Sequence, residues 1–158
     1  MGVKFTGNDI VEMGIQIEKN GKEYYEEVFK CSKSVKAKEI FSYLGKEEIE
    51  HIGYFEKLLA TTGTEEVAES YPGEYYDYME HLSALHVFTK DGKGKEVACE
   101  IKTDKEALQA AVGFEKDSIL FYYEMKNFVR EKDKKILEEI IKEEQSHLSK
   151  LMDILKKF

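Results

Sequence analysis

The chain has 158 residues, of which 32 are acidic and 24 are basic, and its formal net charge is −8. This length allows one domain with a substantial core, and the acidic balance argues against a nucleic-acid binder, which would normally carry a basic face. The first residues, Met1 to Phe5, lack the apolar stretch of a signal peptide, and no window is apolar for long enough to span a bilayer. We therefore expect a single-domain, soluble, cytoplasmic protein that binds neither nucleic acid nor membrane.

Long helices are favoured by the composition, because Pro72 is the only proline and Glu and Lys are abundant. Apolar residues recur at helical spacing in four segments, predicted at about 9–31, 34–60, 104–130 and 133–157. The first follows a region suited to capping, Thr6 to Asn8, and the third opens with Thr103 and Glu106 in capping-box spacing. The residues predicted to face the core are Val11, Gly14, Glu18, Gly21, Tyr25, Val28, Ala37, Phe41, Leu44, Glu48, His51, Phe55, Leu58, Leu108, Ala111, Glu115, Ser118, Tyr122, Met125, Val129, Leu137, Ile140, Glu144, His147, Leu151 and Ile154.

The connections between these segments predict the topology. Short links around 31–34 and 130–133 make two antiparallel hairpins, and a crossover of about forty residues, 62–102, joins them. One short amphipathic helix is predicted in the crossover, from the spacing of Tyr75, Tyr78, Met79, Leu82 and Leu85. Two hairpins joined by one long crossover are the connectivity of an all-α, ferritin-like four-helix bundle.

Six residues interrupt the apolar stripes, and all are metal-ligand types. An unpaired buried carboxylate costs several kcal/mol, and four together also repel one another. Divalent cations compensate for this, because carboxylates and imidazoles bind them directly. We therefore predict a metal centre held by six ligands: Glu18, Glu48, His51, Glu115, Glu144 and His147.

The spacing of these residues places them at one height in the bundle. Glu18 and Glu48 lie 30 residues apart around the first turn, and Glu115 and Glu144 lie 29 apart around the second. Residues equidistant from an antiparallel turn lie side by side, here at roughly 22 Å from it at a rise of about 1.5 Å per residue. Each histidine follows a glutamate by three residues and therefore projects from the same helix face.

The two hairpins also repeat each other. Glu18-Lys19 matches Glu115-Lys116 at an offset of 97 residues, and Lys46-Glu47-Glu48-x-x-His51 matches Lys142-Glu143-Glu144-x-x-His147 at an offset of 96. One Glu-x-x-His alone is weak evidence in a Glu-rich chain. Two such motifs, with single glutamates on the partner helices, are the di-iron carboxylate pattern. The competing interpretation is a metal-free bundle with chance carboxylates near its core.

Two tyrosines, Tyr25 and Tyr122, each follow a ligand glutamate by seven residues. Helical side chains lean toward the N-terminus, so either phenol can reach back toward the metals and orient a carboxylate by a hydrogen bond. Ordinary aromatic core is the alternative. The flanking glutamates are predicted to be solvated surface, and the crossover histidines structural or exposed; these residues are Glu47, Glu50, Glu143, His81 and His86. Cys31 and Cys99 are too few for a disulfide framework and predict free thiols.

At these residues the sequence resembles the rubrerythrins and the wider ferritin-like di-iron superfamily, in particular stand-alone bundles without a rubredoxin domain. The resemblance covers all four helices. It implies that Glu48 and Glu144 bridge two iron ions, that Glu18 and Glu115 are terminal ligands, and that His51 and His147 each bind one ion. The metal could also be manganese or a mixed pair, since both accept these ligands.

Two departures from the rubrerythrin pattern affect the function that the resemblance implies. The chain has no Cys-x-x-Cys pairs for a rubredoxin-type iron site, so electrons are expected from an external donor such as a rubredoxin-like protein or a reductase. The rubrerythrins tend to carry a further glutamate three residues after the third-helix ligand, where this chain has Ser118. Its absence weakens the inference of peroxidase activity but not of metal binding.

The leading hypothesis is a di-iron oxidoreductase that reduces hydrogen peroxide or dioxygen, in the form of a homo-oligomer, with a dimer expected. Three alternatives stay open. A ferroxidase or iron-storage role requires a cage-like assembly. An oxygenase requires a pocket for an organic substrate, for which the small residues Gly14, Gly21, Ala111 and Ser118 could leave space, although they could equally allow close helix packing. A structural bundle needs no redox chemistry.

Overall fold

A computed structural model describes residues 6–61 and 73–158, and these form six α-helices and three short 3₁₀ turns. The helices are α1 (Gly7–Cys31), α2 (Val35–Thr61), α3 (Gly73–Leu85), α4 (Lys93–Glu100), α5 (Asp104–Met125) and α6 (Lys134–Leu155). The 3₁₀ turns span Val87–Thr89, Lys126–Phe128 and Glu131–Asp133. In the described ranges, no helix is long and apolar enough to cross a membrane.

Four long helices form the bundle. The first hairpin, α1 and α2, packs beside the second hairpin, α5 and α6, with α1 against α5 and α2 against α6. The prediction of an all-α bundle of two hairpins is confirmed. Of the residues predicted to face the core, only Val129 and Ile154 are half-buried, and all others are buried.

The capping predictions are confirmed at α1 and half confirmed at α5. At α1, the Thr6 hydroxyl accepts from the Asp9 amide and the Asp9 carboxylate accepts from the Thr6 amide, which completes a capping box. At α5, the Thr103 hydroxyl accepts from the amide of Glu106. The Glu106 carboxylate, however, accepts from the amide of Lys102 and not from that of Thr103.

The second hairpin turns differently from the prediction, because α5 ends at Met125 and not near residue 130. Two 3₁₀ turns then lead into α6. In the first hairpin, the Asp104 carboxylate of α5 accepts from the amides of Lys33 and Ser34, at 3.1 and 2.8 Å. This contact holds the first turn against the start of α5.

The crossover contains one helix more than predicted. Helix α3 lies where a short amphipathic helix was expected and buries Met79 and Leu82, whereas Tyr78 and Leu85 are exposed. The side chain of Tyr75 lies outside the described residues, as do residues 62–72. The additional helix, α4, packs on α1.

A buried amide attaches the crossover to α1. The Asn20 side chain donates to the carbonyls of Phe88 and Lys90, at 2.7 and 2.6 Å, and accepts from the amide of Gly94 at 3.0 Å. A Cβ at Gly94 would lie 2.1 Å from the Asn20 carbonyl oxygen, so the backbones approach more closely than any side chain allows. The part of the crossover from Phe88 to Gly94 is therefore fixed against α1.

Candidate metal centre

The six predicted ligands lie together in the middle of the bundle, and every one is at most 5 % exposed. They form two groups whose potential ligand atoms lie within 4.8 Å of one another. The first group is Glu18, Glu48, His51 and Glu144, and the second is Glu115, Glu144 and His147. Glu144 belongs to both groups and is placed to bridge two ions. Glu48, also predicted to bridge, belongs to the first group only.

Both imidazoles present the same nitrogen to the cluster. His51 Nδ1 lies 2.8 Å from Glu144 Oε1 and 3.4 Å from Glu18 Oε2, and His147 Nδ1 lies 3.5 Å from Glu144 Oε2. The orientation follows from the Glu-x-x-His spacing, since residues three apart share a helix face. Each Nδ1 lone pair is therefore available to a metal ion.

Four buried polar atoms in this cluster make no hydrogen bond of good geometry, although two of them, His51 Nδ1 and Glu144 Oε1, lie 2.8 Å apart; the other two are Glu18 Oε2 and His147 Nδ1. Buried polar atoms in proteins are nearly always paired, and unpaired ones cost about 1–3 kcal/mol each. Glu18 Oε2 and His51 Nδ1 belong to the first group, His147 Nδ1 belongs to the second, and Glu144 Oε1 belongs to both. Metal ions in the two groups would satisfy all four, so the residues fit a two-metal centre.

The pKa values of three buried carboxyl groups are shifted, as expected where negative charges are crowded and need cations. Burial, together with the charges of neighbouring glutamates, raises the pKa of Glu48 and of Glu115 well above the usual range. Burial also opposes ionisation of Glu18, but hydrogen bonding to Glu48 and the charge of His51 outweigh it and lower the Glu18 pKa. Without metal, protons must neutralise part of this cluster. Divalent cations would displace those protons.

The two histidines occupy equivalent positions in the hairpin repeat, but their pKa values shift in opposite directions. Burial by itself would lower the pKa of His51, but the Glu18 charge and hydrogen bonding to Glu144 raise it above the usual value. For His147 burial dominates, and its pKa is lowered despite the charge of Glu115. The two histidines therefore lie in electrostatically different surroundings.

The prediction that Glu47 and Glu143 are merely solvated surface is wrong. His51 Nε2 lies 2.7 Å from Glu143 Oε2, and His147 Nε2 lies 3.7 Å from Glu47 Oε2. Each of these glutamates precedes the helix's own ligand glutamate but reaches a histidine on the facing helix. The Glu143 contact is short enough to fix the tautomer and orientation of a ligating imidazole, whereas the Glu47 contact is too long for a hydrogen bond. Glu50 is exposed, as predicted.

The two tyrosines bond to carboxylates across the bundle. The Tyr25 phenol donates to Glu115 Oε1 at 2.7 Å, and the Tyr122 phenol donates to Glu18 Oε1. Burial and the adjacent carboxylate raise the pKa of each phenol well above its usual value, so both remain donors. The orienting hydrogen bond was predicted, but the exchange between hairpins was not.

A small cavity adjoins the carboxylates on the α1–α5 side. Its lining includes Glu18, Glu48, Glu115, Gly21 and Ser118, and the rings of Phe88 and Phe114 cover it, with centroids 4.0 Å apart. The volume open to the centre of a water-sized molecule is about 10 Å³. That is room for about one such molecule.

His86, in the crossover, is buried and contacts Ser118, one of the residues that line this cavity. His81 is exposed. His86 Nδ1 accepts from the Phe88 amide at 3.2 Å, so the other nitrogen, Nε2, carries the proton and donates to Ser118 Oγ at 3.1 Å. Burial lowers the pKa of His86 to about 4. Sequence reasoning missed this contact, and no periodicity in the crossover could have indicated it.

The small residues near the ligands serve close packing. A Cβ at Gly21 would lie 3.3 Å from the Glu48 carboxylate, and one at Gly14 would lie 2.8 Å from Met125 Cε. The glycines therefore let ligand and core side chains approach α1.

Cys31 and Cys99 are free and exposed thiols, as predicted.

Comparisons with known proteins agree with this geometry. The Rubrerythrin family model matches residues 9–155. A crystal structure described as that of a ferritin-like diiron-carboxylate protein from Thermotoga maritima superimposes with a TM-score of 0.76, at 27% sequence identity, over 99% of this chain and 98% of that chain. No curated protein matches the chain. With a matching family model over nearly its whole length and a carboxylate–histidine cluster in its core, the chain belongs to the rubrerythrin family.

Proposed function

We propose that this protein is a di-iron oxidoreductase that reduces hydrogen peroxide or dioxygen with electrons from an external donor. The family and the ligand cluster support a di-metal centre, and iron is the metal we assign to it. Glu18, Glu48, His51, Glu115, Glu144 and His147 would hold the two ions. When bound, a pair of ferrous ions supplies the two electrons in the balanced reaction H₂O₂ + 2e⁻ + 2H⁺ → 2H₂O.

The observation that carries the proposal is the size of the cavity beside the carboxylates. Room for about one water-sized molecule favours a small oxidant such as peroxide or dioxygen over an organic substrate of several heavy atoms. Gly21, which the sequence left as a candidate for substrate space, packs against Glu48. The oxygenase alternative therefore loses its supporting feature.

The chain's own residues exclude water and hold protons at defined atoms. The Phe88 and Phe114 rings cover the cavity, and the buried phenols of Tyr25 and Tyr122 hold the terminal carboxylates in place. His86 donates to the Ser118 oxygen, which leaves the Ser118 hydroxyl proton for another acceptor. Because Ser118 lines the cavity, that proton could be donated to a small molecule in the cavity.

The direct test is anaerobic loading of the metal-free protein with ferrous iron, followed by titration with peroxide or with dissolved oxygen. We expect about two iron ions per chain and oxidation by peroxide that is faster than oxidation by oxygen. Two ions that react readily with oxygen but slowly with peroxide would replace this proposal with a ferroxidase. A sizing column on the same sample tests the expected dimer against a storage cage. Failure to bind iron would leave the fold and contradict the function.

A further inference from the structure

A lysine-rich surface surrounds Tyr43 on the outer face of α2. Two adjoining grooves meet at this tyrosine, and five lysines line them: Lys36, Lys38, Lys46, Lys150 and Lys157. We call this surface the Tyr43 patch. It lies at the bundle end formed by the start of α2 and the end of α6.

The charge of the patch is opposite to that of the whole chain. Its two grooves contain five lysines and one acidic residue, Glu39, whereas the chain has a net charge of −8. Contact with Lys36 lowers the pKa of Lys157, which shows that the ammonium groups are crowded. Such a concentration of positive charge on an acidic protein favours an anionic partner at this place.

The centre of the patch is apolar. Tyr43 is 37% exposed, Phe29 38% and Val35 70%. Lysines hold the two rings: Lys38 lies over Phe29 at 5.4 Å, and Lys150 lies over Tyr43 at 4.4 Å and donates to its hydroxyl at 3.0 Å. An apolar centre with a charged rim is the usual anatomy of a protein interface. Small interfaces of this kind serve brief electron-transfer encounters.

Tyr43 also contacts the metal centre. Its ring lies edge-on to the His147 ring, with centroids 5.8 Å apart and an interplanar angle of 89°. His147 is 1% exposed, so one side chain separates this ligand from the protein surface. The hairpin repeat does not extend to this feature, because the position equivalent to Tyr43 at the 96-residue offset is Glu139.

We propose that the Tyr43 patch docks a small acidic electron-transfer protein, which reduces the metal centre through the Tyr43–His147 contact. This inference rests on the function proposed above. At each encounter the donor loses one electron and the metal centre gains it, with no bond made or broken. Two encounters restore the two electrons that one peroxide consumes.

The first test uses rubredoxin, a small acidic iron–sulfur protein, as the probe. We compare its binding to the wild-type protein with its binding to K36E/K46E and to a control, K132E/K135E, which changes the net charge equally at exposed lysines of the opposite bundle end. We expect the patch variant to bind at least about tenfold more weakly at low salt and the control to bind as the wild type does. High salt should remove the difference. Equal affinities for the two variants would overturn the docking site.

The second test separates docking from electron transfer. Stopped-flow measurement at saturating reduced rubredoxin gives the rate at which the oxidised, iron-loaded protein is reduced. We expect Tyr43→Leu to lower this rate about tenfold or more while rubredoxin affinity changes little, and Tyr43→Phe to retain it. A wild-type rate in Tyr43→Leu would overturn the path through Tyr43.

A dithionite-reduced sample distinguishes failure of this inference from failure of the proposed function. Dithionite supplies electrons without a protein donor. If the dithionite-reduced wild-type protein does not react with peroxide, the proposed function is wrong. If it does react, and the patch variant binds rubredoxin as the control does, only the docking inference is wrong.

Discussion

The two hairpins contribute matching ligands, but their surroundings differ. Asn20 of the first hairpin is buried and bonded to the crossover, whereas the equivalent residue of the second hairpin, Asp117, is exposed. Tyr43 has Glu139 as its counterpart. The repeat therefore holds at the predicted ligands and is lost at Asn20 and Tyr43. A symmetric set of predicted ligands thus lies in two unlike surroundings.

The difference between the surroundings of the two hairpins is largest at the two histidines. His51 lies 2.7 Å from Glu143, whereas His147 lies 3.7 Å from Glu47 and packs against Tyr43. Acidic neighbours raise the pKa of His51, while burial lowers that of His147. We expect the two positions to differ in metal affinity and in their access to electrons. The four predictions that follow test this difference.

The largest effect is expected from the ligand glutamates. Glu144→Gln should remove most of the metal, because Glu144 belongs to both groups, whereas Glu48→Gln should retain about one ion per chain, since Glu48 belongs to the first group. Both variants should lose redox activity with their helix content intact. Metal analysis after dialysis measures the difference. Equal losses would favour two equivalent bridging glutamates.

The crossover attachment should give the next largest effect. Asn20→Ala removes three hydrogen bonds and leaves buried carbonyls unpaired, so we expect a loss of about 3 kcal/mol in the free energy of unfolding. The matched variant Asp117→Ala should change it by less than about 0.5 kcal/mol. Urea unfolding of the metal-free protein provides both values. A similar loss of unfolding free energy in the two variants would show that attachment to the crossover does not make the first hairpin different from the second.

His86 should make stability depend on pH. Its pKa is 6.5 when unperturbed and about 4 in the folded protein, so the unfolded chain binds the proton first as the pH falls. The neutral ring's contribution is present above pH 6.5 and should be lost between pH 6.5 and 4, by roughly 3 kcal/mol at most.

The matched control for this effect is His86→Gln, which has no group that titrates at this position. The difference between the two unfolding curves isolates His86 from the carboxylates, which titrate in both proteins. Parallel pH profiles would contradict a neutral, buried His86.

The smallest effect is expected from the glutamates behind the histidines. Glu143→Gln should weaken metal binding by about 10- to 100-fold, the usual result of removing such a partner. Glu47→Gln should weaken it less, because its contact is longer by 1.0 Å. Glu50→Gln, at an exposed position, is the control. Competition with a metal chelator measures all three, and a reversed order would contradict the inequality of the two positions.

The sequence was sufficient for the bundle and for the placement of the ligands. Polar residues in otherwise apolar stripes, counted from the two turns, bring all six ligands together, because helix geometry fixes their height and face. The metal-binding role of these residues stays a prediction. The helix ends were less accurate: α5 stops about one turn early, where two 3₁₀ turns replace the expected helix.

Contacts that depend on the crossover or on long side chains could not be predicted. Helix α4, the Asn20 attachment and the His86–Ser118 bond all require knowing where a forty-residue connection lies, and local periodicity does not contain that information. Glu47 and Glu143 point away from the core on a helical wheel, yet their side chains reach the facing helix. The repeated Lys-Glu before each Glu-x-x-His pair was the available signal for them.

The exchanged tyrosine bonds have a consequence for assembly. Tyr25 of the first hairpin holds a ligand of the second, and Tyr122 of the second holds a ligand of the first. A hairpin folded by itself thus lacks both the facing ligands and the phenol that orients its own terminal carboxylate. A two-metal centre in this core would therefore form only after the two halves have docked, and a half-assembled chain would not load metal.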